Sequence, residues 1–377
     1  AKFRINDFQT QTEALPEAAG FIIGQPLLDN RLTYHGESRL GFVRYRSGDR
    51  DPRPTSDIVG RADMRHEVDA PVDLGPVRVM PFVAGRLTGW TDAPGEDGLF
   101  RPWGQVGVNA ATHFWRVYPE VKSRLWALDR LRHVVTPYGR LFMSCTDVQP
   151  DGLVPYDPNV EGYVRRLGGG SVGVRQVWQT RRGPAGRQHS VDWLRLDVRG
   201  AFFIDSDTDL PSDGRYFLRR PVFSLPRDSI NADLTWHVSD ATSILADANY
   251  DVSGNRIGRA NLGVAVTRSP RLSYYAGVRA IEPLDSTVGT LGFNYRISRK
   301  YSLSVFEQYD FDFRDGHNLA TSATITRKFS RWYLAFTFIY DATQEEVGLI
   351  LSLWPEGIPE ARVGSGRLGL PQASASE

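Results

Sequence analysis

The stretch Ser286–Leu353 reads STVGTLGFNYRISRKYSLSVFEQYDFDFRDGHNLATSATITRKFSRWYLAFTFIYDATQEEVGLILSL. It is a run of extended segments with almost no loop between them. In Arg331–Tyr340, Trp332, Leu334, Phe336, Phe338 and Tyr340 fall on one side, and Tyr333, Ala335, Thr337 and Ile339 on the other. In Tyr301–Arg314, Tyr301, Leu303, Val305, Tyr309, Phe311 and Phe313 share a face. Ser302, Ser304, Gln308, Asp310, Asp312 and Arg314 share the opposite one. Successive side chains of a strand alternate faces, so each segment has an apolar side and a polar side. The rest of the chain decides which solvent meets the apolar side.

Working outward, the 377 residues are all-β in composition: 11% aromatic, 36 Gly and 23 Pro, with no sustained helical period. No apolar run reaches the roughly 18 residues of a transmembrane helix, but a transmembrane barrel has a polar interior and needs none. A net charge of +1 argues against nucleic acid as a partner, because phosphate binding needs a concentrated basic surface. The single cysteine, Cys145, excludes an internal disulfide.

Toward the N-terminus, Ala1–Phe8 and Glu17–Gly24 read as short strands. Arg31–Arg46, Ile58–Val72, Val77–Trp90, Phe100–Tyr118, Leu131–Ser144, Ser171–Arg182 and Ser190–Ile204 read as long ones. Pro137 should mark a bulge, an edge or a strand end. From Asp228 strands follow each other through tight turns, Gly254-Asn255 and Ser269-Pro270 among them. Ser47–Ser56, Thr91–Gly98, Thr146–Gly170 and Asp205–Pro226 read as long loops, and Gly168–Gly170 as a flexible loop end. The count is roughly 16–18 antiparallel strands with alternating short and long connections, the pattern of a transmembrane outer-membrane β-barrel over residues 1–357. Residues 358–377 read as a disordered tail. Trp90, Trp103, Tyr118, Tyr250, Phe313, Trp332, Tyr340 and Trp354 lie near strand ends, where an interfacial girdle would put them. A soluble propeller would repeat at about 40–50 residues, and no such repeat is present.

Four stretches resemble the lipopolysaccharide-assembly outer-membrane protein family (LptD). They are LPEAAGFIIGQPLLDNRLTYHGESRLGFVRYR (Leu15–Arg46), RADMRHEVDAPVDLGPVRVMPFVAGRLTGW (Arg61–Trp90), LRHVVTPYGRLF (Leu131–Phe142), and VGVRQVWQTRR (Val172–Arg182) followed by WLRLD (Trp193–Asp197). The resemblance implies a C-terminal barrel region that inserts lipopolysaccharide or a related glycolipid into the outer leaflet. Its implied partners are outer-membrane lipid, a plug lipoprotein and periplasmic bridge proteins. It also implies a lateral opening beside the last strand, Val347, Gly348, Leu349, Ile350, Leu351, Ser352 and Leu353. The chain departs from the family in lacking the upstream jelly-roll domain, some strands and the inter-domain disulfides.

The polar faces place Arg175, Arg195, Asp197, Arg199, Asp233, His237, Asp247, Asn249, Arg279, Asn294, Arg296, Gln308, Asp310 and Asp312 toward a lumen. Mixed Arg and Asp can bind a protein plug or the sugar and phosphate of a glycolipid, and equally line a hydrated pore. Asp205, Asp207 and Asp209 are a weak metal candidate. The glycine a calcium loop needs at its sixth position is Leu210, and Tyr216 stands where its last ligand would be. No cofactor is expected. Asp233 and His237 lack a nucleophile, so no catalytic residue is assigned and the chain does not read as an enzyme. Two other functions fit the same architecture: a porin-like passive diffusion channel and a membrane-embedded hydrolase.

Overall fold

A computed structural model describes residues 10–48, 54–149, 152–162, 165–184, 186–206, 227–282, 285–311, 316–342 and 346–358. The elements begin with β1 (Gln11–Leu27), β2 (Leu32–Arg46), β3 (Val59–Asp69), β4 (Val72–Leu74), β5 (Val77–Trp90), β6 (Leu99–Thr112), β7 (Phe114–Ser123) and β8 (Leu128–Thr146). Helix α1 (Pro158–Glu161) precedes β9 (Arg166–Arg182), β10 (His189–Ser206), β11 (Ser229–His237), β12 (Thr242–Asp251) and β13 (Arg256–Ser269). The chain continues through β14 (Leu272–Ile281), β15 (Ser286–Tyr295), β16 (Tyr301–Asp310), β17 (His317–Lys328), β18 (Trp332–Asp341) and β19 (Glu346–Pro355).

All nineteen strands belong to one sheet. Its defined registers are antiparallel between chain neighbours, as in β1–β2, β2–β3 and every pair from β12 to β19. β3 and β4 both pair with β5, interrupted where Pro71 offers no N–H to the ladder. β7 follows β6 with only His113 between them. Among the described residues, nineteen segments less these two continuations give seventeen passes, within the expected range.

Several local expectations need correction. Gln11–Leu27 is one strand of 17 residues, and its register slips between Ala14 and Glu17 and again between Ile22 and Gln25. Bulges let a strand absorb Pro16 and Gly24, which made the stretch look broken. Ala1–Phe8 lies outside the described residues, as does the tail beyond Ile358. Pro137 does not end β8. The β8 ladder with β6 stops at Tyr138, so the missing N–H falls just outside it. Gly168–Gly170 is not a loop end but lies inside β9. A Cβ on Gly169 would stand 2.5 Å from the Phe202 carbonyl oxygen, and one on Gly170 2.5 Å from a Leu141 methyl. Glycine permits this close approach of strands.

The chain divides into two compact units, Ala1–Phe114 with Val135–Arg175 and Arg199–Ile230, and Trp115–Val134 with Gln176–Val198 and Asn231–Glu377. Both have the same polarity. In the second, Leu334, Phe336, Phe338 and Tyr340 of β18 stand opposite Leu353, Leu351, Leu349 and Val347 of β19. Val347, Leu349 and Leu351 are 66%, 65% and 62% exposed, whereas Ser352, next along the strand, is 1% exposed. The exposed apolar row continues through Ile325, Phe293, Leu291, Val278, Tyr274, Val264 and Leu262. In the first unit, Phe42, Met64, Val83, Leu87, Phe100, Val106, Leu141 and Met143 are exposed while Arg61, Asp63, Arg86, Thr88, Arg101 and Ser144 are buried.

A water-soluble protein inverts this order, keeping charges out and large apolar side chains in. The apolar rows of Ser286–Leu353 therefore face lipid rather than a protein core. With strands long enough to cross a bilayer, the chain has the all-β, antiparallel architecture of the outer-membrane β-barrel class.

Candidate functional site

The charged face of the first unit is covered by part of the β8–β9 connection. On β3, Arg61, Asp63, Arg65, Glu67 and Asp69 occupy alternate positions and so share one face. Arg86 and Thr88 of β5 and Arg101 of β6 lie on the same face. Onto these residues folds a segment that the sequence alone presents only as a long loop.

Apolar contact fixes it first. Leu153, Tyr156 and Val160 pack with Val43, Tyr45, Val59 and Trp90. This accounts for Trp90, which is 5% exposed and belongs to the interior rather than to an aromatic girdle; Trp103 is likewise buried. Phe313 lies outside the described residues, and Trp354 stacks on Tyr333 at 5.4 Å. Trp332 and Tyr340 do stand exposed on the apolar face.

Four arginines then grip the segment. Arg86 donates through Nε and Nη2 to the two carboxylate oxygens of Asp63 at 2.8 and 2.7 Å, and through Nη1 to the Asn159 carbonyl at 2.8 Å. Thr88 donates to the same carboxylate at 2.7 Å. Arg101 donates to the carbonyls of Val160 and Glu161 at 3.1 and 3.2 Å and to Thr146 Oγ1 at 3.1 Å. Arg61 donates to Glu161 Oε1 at 3.1 Å and lies 3.7 Å from Glu17. Arg39 reaches Asp157 at 3.5 Å.

Within the segment Asp157 caps α1. Its Oδ1 accepts the Asn159 N–H at 2.9 Å, and its own N–H donates to Glu161 Oε2 at 2.6 Å. Burial pushes the Glu161 carboxyl up to about 7, against the opposing pull of Arg61 and of the Asp157 N–H. Burial likewise raises the Tyr156 phenol.

The residues assigned to a lumen from sequence lie elsewhere. Most of them lie on strands of the second unit, on the face opposite the exposed apolar rows. Asp247 accepts from Arg259 at 2.8 Å and from Asn261 at 2.8 and 2.9 Å. Arg279 donates to Asn261 at 2.8 Å, and Asn249 to Asn231 at 2.6 Å. Asp247 and Arg279 are thus joined through Asn261, Asn249 pairs with Asn231, and Asp233 shares its strand face with Asn231. His237 pairs with Ser243 at 2.8 Å, and its carbonyl accepts from Arg182 at 2.6 Å. Asp310 accepts from Ser286 at 3.2 Å.

Gln308 stands opposite Thr290, and Asn294 opposite Ser273 and Ser304. Arg296 follows β15, its backbone N–H donating to the Arg271 carbonyl at 2.8 Å. Arg195 pairs with Asp192 on β10, and Asp197 and Arg199 follow at alternate positions, both with partners. In the first unit Arg175 lies over the Tyr138 ring at 5.6 Å. Asp312, Asp207 and Asp209 fall outside the described residues, and Asp205 is the penultimate residue of β10. Among the described residues no group of three His, Cys, Asp or Glu side chains could hold a metal ion. One acid departs from the pattern: Glu307 shares the apolar face of β16 with Val305 and Tyr309 and takes a hydrogen bond from Asn318.

No protein-family model and no curated protein matches the chain. Solved structures do. A Rh. blastica porin mutant aligns over 89% of this chain and 100% of its own at 11% identity, with a TM-score of 0.34. The ferric enterobactin receptor of Pseudomonas aeruginosa aligns over 93% at 10% identity, with a TM-score of 0.39, and this chain spans 63% of its length. The siderophore receptor PirA from Acinetobacter baumannii aligns over 89% at 9% identity, with a TM-score of 0.39 and 62% of its length spanned. These are a porin and two siderophore receptors, not lipopolysaccharide-assembly proteins. At these scores neither architecture nor activity is transferred from them; the architecture rests on the geometry above.

Proposed function

We propose that the chain is an outer-membrane β-barrel channel through which small polar solutes diffuse passively, narrowed by the segment carrying α1. One observation carries this reading: a connection between two strands is folded against the charged face and fixed there by Arg61, Arg86 and Arg101. Fixed charges beside a narrowed aqueous path select solutes by size and charge without chemistry. The described interior charges are largely matched in ion pairs, and the Thr88 and Thr146 hydroxyls at the site are held in hydrogen bonds.

The test is conductance of the full chain in a planar lipid bilayer. Stable ohmic steps, enlarged when Arg86 and Arg101 are both replaced by Met to release the segment, are expected. Insertion without conductance, together with co-purification of a lipoprotein plug, would instead favour glycolipid assembly and refute the channel.

A further inference from the structure

One interior arginine of the first unit stands apart. Arg39, Arg61, Arg65 and Arg86 are each paired with a carboxylate, and Arg101 is held by carbonyls. Arg140 of β8 is exposed and has no acidic partner among the described residues. Its position alternates with the outward Leu141 and Met143 and matches the buried Ser144, so it belongs to the interior face. Its guanidinium lies 5.1 Å from the Phe82 ring centroid and 5.5 Å from that of Phe142. Both distances are within cation–π range.

Glycine builds this cradle. Phe82 and Phe142 stand on either side of Gly107 in the sheet. A Cβ there would come within 2.6 Å of the Phe82 ring, so only glycine lets the ring lie down. Directly opposite Arg140 is Asn109, whose side-chain amide has no hydrogen bond among the described residues. Phe82 is four residues from Arg86 along β5, about 13 Å at about 3.3 Å per residue, so the cradle lies one step past the narrowing.

We propose that Arg140, held by Phe82 and Phe142 with the Asn109 amide beside it, is a binding station for small oxyanions, carboxylate or phosphate. A stacked guanidinium keeps its planar fork of donors free, and that fork matches an oxyanion in bidentate fashion. The aromatic rings remove side-chain freedom before the ligand arrives, so less entropy is lost on binding. The station's role in permeation rests on the channel reading; its affinity does not.

The experiment therefore has two arms on the full chain in detergent micelles and in bilayers. Inorganic phosphate and malonate are titrated calorimetrically against the wild type, Arg140→Gln, Arg140→Lys and Phe142→Leu. Saturable binding is expected, weakened at least tenfold in Arg140→Gln and several-fold in Arg140→Lys and Phe142→Leu. Whichever of the two probes binds more tightly names the ligand class. Equal affinity in the wild type and Arg140→Gln, or no saturable binding of either probe, overturns the station. Phe142→Leu keeps every charge and carries the test if Arg140→Gln does not fold. In bilayers under a KCl gradient, Arg140→Gln should shift the reversal potential toward cation preference. Phosphate binding by the wild type that Arg140→Gln loses, in a chain that never conducts, leaves the station standing and removes the channel; binding unchanged by Arg140→Gln in a conducting chain does the reverse.

Discussion

Replacing Arg86 by Met, Asp63 by Leu, and both together separates the worth of the buried ion pair from the cost of breaking it. The Asp63 carboxylate is fully buried and receives both forks of Arg86 at 2.8 and 2.7 Å. Arg86→Met leaves that carboxylate with Thr88 alone as a direct donor, an uncompensated buried charge that costs about 3–5 kcal/mol. Asp63→Leu strands the guanidinium at a similar cost. The double replacement removes both charges and puts apolar volume in their place. Its remaining losses include the hydrogen bond to the Asn159 carbonyl and the one from the buried Thr88 hydroxyl, together about 2–4 kcal/mol. The single variants should therefore lose far more than half of their summed cost when combined, a coupling of about 3 kcal/mol or more. Urea unfolding in detergent micelles, followed by tryptophan fluorescence, reads the three values. Singles within about 1 kcal/mol of the wild type, or a double equal to their sum, would show that Asp63 is not sealed from water as its geometry requires.

Three further outcomes are expected. Glu161 titrates near 7 when docked against 4.5 when free, so docking takes up a proton; the segment is held most tightly below 4.5 and loosens as pH rises through 7. Each pH unit in that window removes about 1.4 kcal/mol, and protease access to the segment should increase from pH 5 to pH 8, with Glu161→Gln abolishing the dependence. Phe336→Arg puts a charge on the lipid-facing row between Ile325 and Leu351 and should cost about 2–4 kcal/mol near the midplane, read as failed insertion into liposomes. Gly107→Ala forces a Cβ to within 2.5 Å of the Leu141 carbonyl oxygen and should lower stability by about 1–3 kcal/mol in thermal melts.

The strands after Asp228 are legible because each reports its own period, and Ser286–Leu353 states its two faces without help from distant residues. Gln11–Leu27 is less so, because its pairing with β2 overrides a local sequence broken by Pro16 and Gly24. The charged ladder was half visible. Arg61, Asp63, Arg65, Glu67 and Asp69 alternate in plain view, and a polar face beside apolar Met64 could have been read as interior. Its partners were not, since Glu161 lies 100 residues from Arg61 and sits in a stretch with neither period nor motif. Trp90 has the same ambiguity: an aromatic near a strand end suits a membrane interface as well as an interior cluster, and only Tyr156 and Val160 decide between them.

How the segment is held determines what can vary in it. Arg86 and Arg101 bind the carbonyls of Asn159, Val160 and Glu161, which every sequence supplies, while Arg61 alone of the three depends on the side chain of Glu161. Asp157 fixes the helix start through its backbone oxygen as well as its carboxylate. Exposed Asn159 can therefore change size or charge while the segment stays docked, whereas loss of the two carbonyl-binding arginines weakens the docking whatever the segment's sequence and leaves it to Arg61, Arg39 and the packing of Leu153, Tyr156 and Val160. The same division applies in the sheet: Phe336 and its neighbours hold the protein in lipid by area, without directional bonds, and leave the opposite face free to carry charge. In the channel proposed above, selectivity would therefore be set by one short helix and by Arg140, on the face opposite the residues that meet the membrane.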